Sequence, residues 1–321
     1  MAQTTNLYDS YDSKGNREDL SDIIYNISPT ETPLFQMAGR TRATNPMHEW
    51  QTDSLASAST SNALIEGDEY ALSEPTATTR VNNRTQIFTK VYGTSESQRW
   101  IEKAGRADEL AYIRAKAAKE LKRDVEATML NNQASVAGNS TTARKLGGFP
   151  AWLAANTSFG SGGSDNGFSS GTGLVVARTN GTERSFTGTL LNAVFQDAWT
   201  NGGNPSVMLI GGKQKTVFVG FDGIATPRHE VSDKTIYDTA EVYIGPFGSL
   251  KVMLDRHIRQ TTSIDRDVFL VDPDYVKVAV GDDFHTEELA KVGHSDREAM
   301  VVELTLEVCN EAAHGLVTDL N

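Results

Sequence analysis

The sequence predicts an α+β fold, and three patterns of apolar residues lead to this class. Residues 106–133 carry apolar side chains at steps of three and four, which is the spacing of one helix face. Residues 85–92 and 300–308 alternate apolar and polar side chains, as strands with one buried face do. From Ser185 onward, short apolar runs alternate with amphipathic helical segments. A long helix and a mixed sheet are therefore expected in one chain.

Composition excludes several classes of protein. The 321 residues carry a formal net charge of −12 and one cysteine, Cys309. A dedicated DNA-binding module needs a basic face, and an internal disulfide needs a second cysteine. The N-terminal residues lack the apolar core of a signal peptide, and no stretch reaches the ~18 consecutive apolar residues of a membrane helix. We expect a protein made in the cytosol, without a membrane partner.

The first 46 residues contain Pro29, Pro33 and Pro46 and show little sustained periodicity. Residues 19–26 have the pattern of a short helix. Each proline restricts its own backbone and that of the residue before it, so no helix is expected to continue past Pro29. Residues 1–46 are therefore predicted to form an extended arm that lies on another molecule.

Residues 47–92 have the pattern of a long two-stranded excursion, with residues 47–51 as the incoming limb and residues 85–92 as the returning limb. The large apolar side chains between the limbs are Leu55, Leu64, Ile65, Tyr70, Leu72 and Val81. An isolated hairpin of this composition is marginally stable in water. The excursion is therefore either held by a partner or a mobile surface loop.

The helix predicted over residues 106–133 is the clearest element of the chain. At ~1.5 Å per residue it would be roughly 40 Å long, which suits the backbone of an elongated molecule. Its apolar stripe consists of Leu110, Ile113, Ala117, Leu121, Val125 and Met129. Its basic residues are Arg114, Lys116, Lys119, Lys122 and Arg123. These cations either touch DNA or an acidic neighbour, or form ordinary helical ion pairs with Glu120, Asp124 and Glu126.

The remaining elements follow a loop region rich in glycine, serine, threonine and asparagine at residues 138–184. Helices are predicted at residues 190–198 and 213–219. Strands are predicted at residues 207–210, 236–244, 250–254, 268–271, 276–280 and 300–308.

No pattern supports a catalytic, cofactor-binding or metal site. Gly167–Gly171 matches a nucleophile elbow with Ser169 as the nucleophile, but that motif requires a strand-to-helix turn, and here it lies in loop sequence. The six histidines lack the spacing of metal ligands on one helix face. The segment Gly211-Gly212-Lys213 lacks both the upstream glycine and the Ser or Thr of a phosphate-binding loop. We therefore expect a protein that is not an enzyme and that binds no cofactor.

The order of these parts resembles the Hong Kong 97-type major capsid fold of tailed bacteriophages, which has an arm, an extended loop, a spine helix and an axial domain. The resemblance is carried by Thr32-Pro33-Leu34-Phe35, His48-Glu49-Trp50, Glu66-Gly67, Gly93-Thr94, Asp108-Glu109-Leu110-Ala111-Tyr112 and Glu120-Leu121-Lys122-Arg123-Asp124. It is densest between residues 29 and 133 and is similar to a compact subgroup of these proteins.

The resemblance implies a domain organisation. Residues 1–46 would be the N-terminal arm and residues 47–92 the extended loop. Residues 93–184 and 256–321 would form the peripheral domain, with the spine helix at 106–133 and sheet strands near 85–95 and 268–309. Residues 185–255 would form the axial domain. The candidates for subunit contacts are Trp50, Glu66, Asp68, Arg80 and Arg84.

The resemblance also implies partners and a function. It implies a structural subunit of an icosahedral shell around double-stranded DNA, assembled in the host bacterial cytoplasm as hexamers and pentamers. Further expected partners are a portal and a separate scaffolding protein or none, because 46 residues are too few for a fused one. The presence of a decoration protein is left open. No lysine–asparagine cross-link is expected, and DNA would be enclosed without sequence specificity.

Three alternatives remain at this point. An encapsulin-like nanocompartment would share the architecture but enclose protein cargo. A serine hydrolase would use Ser169, and a monomeric surface-binding protein would use the Gly/Ser loop. The resemblance further predicts that deleting residues 55–82 leaves a foldable subunit that cannot form shells.

Overall fold

The computed structural model describes residues 31–101, 108–221 and 242–321, apart from Ala71, Ser73, Glu74, Thr76, Arg259, Thr262 and Ser263. The helices are α1 (Pro33–Met37), α2 (Glu96–Trp100), α3 (Glu109–Met129), α4 (Phe149–Trp152), α5 (Gly188–Thr200) and α6 (Gly212–Val219). The strands are β1 (Gly39–Arg42), β2 (Met47–Thr52), β3 (Thr79–Arg84), β4 (Gln86–Ser95), β5 (Thr157–Ser158), β6 (Gly167–Ser169), β7 (Leu174–Val176), β8 (Val207–Ile210), β9 (Val242–Gly245), β10 (Gly248–Leu254), β11 (Gln260–Thr261), β12 (Ile264–Asp265), β13 (Val268–Val271), β14 (Val276–Leu289), β15 (Ser295–Val308) and β16 (Gly315–Val317). Short 3₁₀ helices cover Pro273–Tyr275 and Glu311–Ala313. Among the described residues, no helix is both long enough and apolar enough to span a bilayer.

The first sheet has the strand order β1-β14-β15-β4 and packs one face against α3. The long hairpin β14–β15 forms its centre, with Val278 opposite Leu306 and Val280 opposite Leu304. Alternate residues of β15 point toward the helix, as the period of a strand requires. They join the apolar stripe of α3 in one buried cluster, so the first sheet and α3 form a single layered unit.

Helix α3 is shorter than the sequence predicted. It begins after Asp108, whose side chain accepts a hydrogen bond from the N–H of Leu110, and it covers 21 residues. Residues 130–133 lie outside the helix, and the Gln133 amide turns inward and donates to the carbonyl of Leu146 at 2.8 Å. The prediction of a helix over 106–133 is therefore wrong at its C-terminal end, and residues 106 and 107 lie outside the described residues.

The second sheet has the strand order β5-β16-β13-β8-β10-β9 and is mixed, with β8 parallel to β10 and antiparallel to β13. Helices α5 and α6 cover it through Leu191, Phe195 and Phe218. Residues 268–271 were expected in the same sheet as residues 85–95, and this prediction is wrong. All four residues of β13 are buried, because β13 is a central strand with both faces covered.

Two predictions for the N-terminal half also need correction. The predicted returning limb, residues 85–92, does not pair with residues 47–51; strand β4 pairs with β15 instead, and β2 pairs with β3. The alternation of apolar and polar side chains identified residues 85–92 as a strand, but it carries no information about which strand lies beside it.

The segment from Pro33 to Arg42 is not an extended arm on another molecule. Pro33 begins α1, where its missing N–H costs nothing, and Leu34 and Phe35 are buried in the core of their own subunit. Strand β1 then pairs in parallel with β14. The short helix predicted at residues 19–26 lies outside the described residues, as do residues 236–241 of the predicted strand 236–244.

Candidate subunit interface

The two-stranded ribbon β2–β3 is fixed to the subunit at its base by the buried side chain of Asn83. The Asn83 amide donates to the carbonyls of Leu306 at 2.8 Å and Gly147 at 3.2 Å. Its oxygen accepts from the N–H groups of Gly147 at 2.7 Å and Arg84 at 2.9 Å. All hydrogen-bonding positions of this amide are therefore used, which holds the ribbon in one register.

Trp50 fixes the other strand of the ribbon. Its indole N–H donates to the carbonyl of Val308 at 3.0 Å, and its ring lies 5.2 Å from that of Trp152. Trp152 in turn stacks on Phe168 of β6. The Gly/Ser-rich loop thus supports the base of the ribbon, because its Phe168 ring closes this aromatic stack.

A buried polar contact lies beside Trp50. His48 Nε2 lies 2.8 Å from the carboxylate of Glu307. Burial acts to raise the pKa of Glu307, but the hydrogen bonds from His48 and Cys309 and the charge of Lys277 outweigh burial, so this pKa is lowered. Glu307 therefore carries its charge at neutral pH and holds both β2 and β14.

Beyond the ribbon, the described part of residues 53–78 extends away from the subunit. Its large apolar side chains are almost entirely exposed: Leu55 is 99%, Ile65 80% and Tyr70 86% exposed, and Leu64 and Leu72 are exposed as well. Several large apolar side chains exposed on one segment are typical of a surface that another molecule covers. The segment therefore combines a rigid base with an uncovered end.

The five predicted contact residues fall into two groups. Glu66 and Asp68 lie at the exposed end of the loop. Trp50, Arg80 and Arg84 belong to the ribbon, where Trp50 packs on its own subunit and Arg80 forms a 3.5 Å ion pair with Glu49. A role of these five residues between subunits stays a prediction.

The ribbon also limits which residues can be deleted to leave a foldable subunit. Removing residues 55–82 would take out Val81 and Asn82, which are buried. The segment that can be removed without opening the core ends at residue 78, where β3 begins.

Sequence reasoning missed a buried carboxyl pair, Glu126 and Asp255. Glu126 was expected in an ion pair on the exposed face of the helix, but it is fully buried and accepts the N–H groups of Leu34 at 2.7 Å and Phe35 at 2.8 Å. Burial, followed by the negative charge of Asp255, raises the pKa of Glu126 to about 9. Burial likewise raises the pKa of Asp255. The pair therefore retains a proton while it joins α1, α3 and the end of β10.

A match to a protein family shows which family the chain belongs to. The family model of the SU10 major capsid protein matches residues 3–321. The chain belongs to the SU10 major capsid protein family. A curated relative of this SU10-family chain, the major capsid protein of Escherichia phage Phieco32, is 37% identical over 134 residues. That match covers 42% of the chain and 38% of the relative, so it spans well under half of the relative's length.

Solved structures agree with the family on the fold. The capsid of a native GTA particle, with C5 symmetry, superposes with a TM-score of 0.65 at 12% identity, covering 97% of this chain and 98% of that one. The structure from Gordonia phage Cozz gives a TM-score of 0.61 at 12% identity, covering 98% and 96%. The predicted Hong Kong 97-type fold is confirmed for this SU10-family chain.

Family membership also answers the question of catalysis. Members of the SU10 major capsid protein family are structural, so the prediction of a protein that is not an enzyme is confirmed. Ser169 ends β6, which is followed by a turn and β7 rather than by a helix. The nucleophile elbow is therefore absent at this position. In the part of the chain that is described, no three metal-ligating side chains are grouped to hold an ion.

Proposed function

We propose that this SU10-family protein is the subunit that builds the icosahedral shell of a tailed bacteriophage around double-stranded DNA. The proposal places the protein in the virion capsid, assembled in the host bacterial cytoplasm as hexamers and pentamers. The family resemblance implies a portal as a further partner and either a separate scaffolding protein or none, and it leaves a decoration protein as an option. DNA would be enclosed without sequence specificity.

The observation that carries the proposal is the loop of residues 53–78, which is rigid at its base and uncovered at its end. Covering one fully exposed leucine or isoleucine side chain stabilises a contact by about 1.5–3 kcal/mol. Several such side chains lie on one loop. A neighbouring copy that covers them would gain enough to order the loop, and repetition around a ring would add these contacts together.

We assign the parts of the fold to roles in the shell. Residues 47–84 form the extended loop, residues 85–184 and 256–321 without β13 and β16 form the peripheral domain, and residues 185–255 form the axial domain. Strands β13 and β16 complete the sheet of the axial domain, and β4 belongs to the sheet of the peripheral domain. Residues 1–32 remain as the proposed arm.

The test replaces residues 53–78 by Asn-Gly. Because Thr52 lies directly opposite Thr79, a two-residue turn closes this ribbon as an ordinary hairpin. We expect a folded subunit with an unchanged thermal midpoint that sediments as a monomer and forms no particles in negative stain. Closed particles of normal size from this variant would contradict the proposal.

A second variant keeps the length of the loop but replaces its apolar side chains, Leu55, Leu64, Ile65, Tyr70 and Leu72, by serine. We expect it to fold and to lose assembly as well, because the loop then has nothing to bury. Val292→Ser is the matched control, since Val292 is 65% exposed on the turn between β14 and β15. This control should assemble normally.

A further inference from the structure

A basic groove lies next to strand β1, with a volume of ≈ 580 Å³. It is bounded by β1, by α3 and by the irregular part of β14, where the pairing with β15 shifts its register between Val280 and His285. Its side chains are Phe35, Arg40, Arg42, Lys122, Asp283 and Phe284. Bulges of this kind re-aim side chains away from the regular pleat, and here the bulge places Phe284 at 6.2 Å from Phe35 as a second aromatic wall.

The groove has an excess of positive charge. Arg40 lies 3.8 Å above the ring of Phe35 and donates to the carbonyl of that residue at 2.9 Å. Lys122 lies 5.8 Å from the ring of Phe284. Within the described ranges of the chain, neither these two cations nor Arg42 takes part in an ion pair. Three cations face a single carboxylate, in a chain whose net charge is −12.

The acidic tip, residues 65–70, has the opposite character. Gly67 adopts a φ of 85°, and the N–H of Asp68 donates to the carbonyl of Ile65 at 3.1 Å, so the chain reverses there. This turn presents the carboxylates of Glu66, Asp68 and Glu69 between two exposed apolar side chains, those of Ile65 and Tyr70. Among the described residues, none of the three carboxylates forms an ion pair.

We propose that the acidic tip of one copy docks in the basic groove of the next copy. This inference rests on the proposed function and names the receiving surface for the loop. Three carboxylates between two apolar side chains match three cations between two aromatic walls, and complementary charges of this kind select the partner and the register. A strand-like limb of 14 residues reaches up to about 45 Å, which is enough to leave the subunit.

The occupant that fits best is a second copy rather than a nucleic acid. A phosphate backbone needs a continuous run of cations, but along α3 Arg114 is paired with Glu298 and Lys116 with Glu120, and Asp283 lies in the groove itself. The tip and the groove are different surfaces of the same chain. Their contact is therefore heterologous and passes head to tail, which is the type that closes into rings.

The test uses charge reversal in the full-length protein. The tip set is Glu66→Lys, Asp68→Lys and Glu69→Lys, and the groove set is Arg40→Glu, Arg42→Glu and Lys122→Glu. Either set alone should lower the yield of sedimenting particles by at least about tenfold, because like charges then meet at the contact. Both sets together should restore it, since every copy then carries both reversed surfaces. The matched control reverses three other exposed cations, with the substitutions Lys145→Glu, Lys251→Glu and Arg297→Glu. This control should assemble normally.

A cross-linking variant keeps the test decisive if the groove set does not fold. Asp68→Cys with Arg42→Cys in a Cys309→Ser background should give disulfide-linked oligomers under mild oxidation, whereas Asp68→Cys with Lys145→Cys should not. Normal particles without this cross-link would overturn the docking while leaving the proposed function intact. Particles of the groove set that form normally but lose nucleic acid would overturn it in favour of a phosphate backbone. Failure of the unmodified protein to form any shell would instead overturn the proposed function.

Discussion

The buried carboxyl pair of Glu126 and Asp255 makes the stability of this capsid subunit depend on pH. Burial raises both pKa values in the folded state because it penalises the charged forms, and the negative charge of Asp255 adds to the effect on Glu126, whose pKa reaches about 9. The folded subunit therefore keeps a proton that the unfolded chain releases near the ordinary value of 4.5. Stability is fully present below that value and is lost as the pH rises toward 9.

The size of this effect follows from the linkage between protons and folding. Where the folded state holds one proton more than the unfolded state, stability falls by about 1.4 kcal/mol per pH unit. Between pH 7 and pH 9 we expect a loss on the order of 2 kcal/mol, a large part of the 5–15 kcal/mol that is typical of a domain.

Urea unfolding followed by tryptophan fluorescence would measure this loss, using the subunit with residues 53–78 replaced so that assembly does not intervene. Glu126→Gln should be about 1–3 kcal/mol less stable at pH 7, because its amide nitrogen cannot accept one of the two N–H groups from α1. Between pH 7 and pH 9, however, its stability should be nearly constant. Glu288→Gln, at an exposed position, is the control and should keep the slope of the parent. An equal slope in Glu126→Gln and its parent would refute the reasoning.

Two further predictions concern buried polar groups at the C-terminal end. Burial lowers the pKa of His314 to about 4. The subunit should therefore lose stability as the pH falls from about 6.5 toward 4, because the unfolded chain takes up a proton that the folded one excludes. In a His314→Gln variant, the free energy of unfolding should depend less on pH in this range. An unchanged dependence would contradict this assignment. Asp319 accepts two glycine N–H groups and an Arg266 N–H at 2.8 Å, so Asp319→Ala should cost about 3–5 kcal/mol in urea unfolding by leaving Arg266 without this partner. A loss below about 1 kcal/mol, the range of a surface pair, would show that the contact is not structural.

Local patterns in the sequence predicted where helices and strands form better than they predicted which strands pair with each other. The apolar stripe of α3 packs into the core through Leu121, Val125 and Met129. Apolar residues spaced by three and four lie on one face of a helix, so this face is the one that is buried. Residues 85–92 do form a strand, but alternation is the same whichever strand lies beside it. The unbroken apolar run of residues 268–271 was the signal for a central strand, although nothing local says which sheet it enters.

The candidate interface could be predicted in part for the same reason. Five of the six apolar side chains of the loop are exposed, which fits both a segment held by a partner and a mobile surface loop, whereas Val81 is buried because it belongs to β3. Glu126 was misjudged because its neighbours on the helix are charged. What covers it is α1, which lies some 90 residues earlier in the chain. The groove was missed because Arg40, Lys122 and Phe284 are brought together only by tertiary folding.

The placement of β1 has a consequence for the timing of synthesis. Among the described strands, β1 pairs with β14 and no other, so it waits for residues 276–289 before it has a hydrogen-bonding neighbour in its sheet. Contacts so distant along the chain form late, because the intervening loop must be closed first. A nascent chain still attached to the ribosome therefore lacks a finished β1 edge until residues 276–289 have been made.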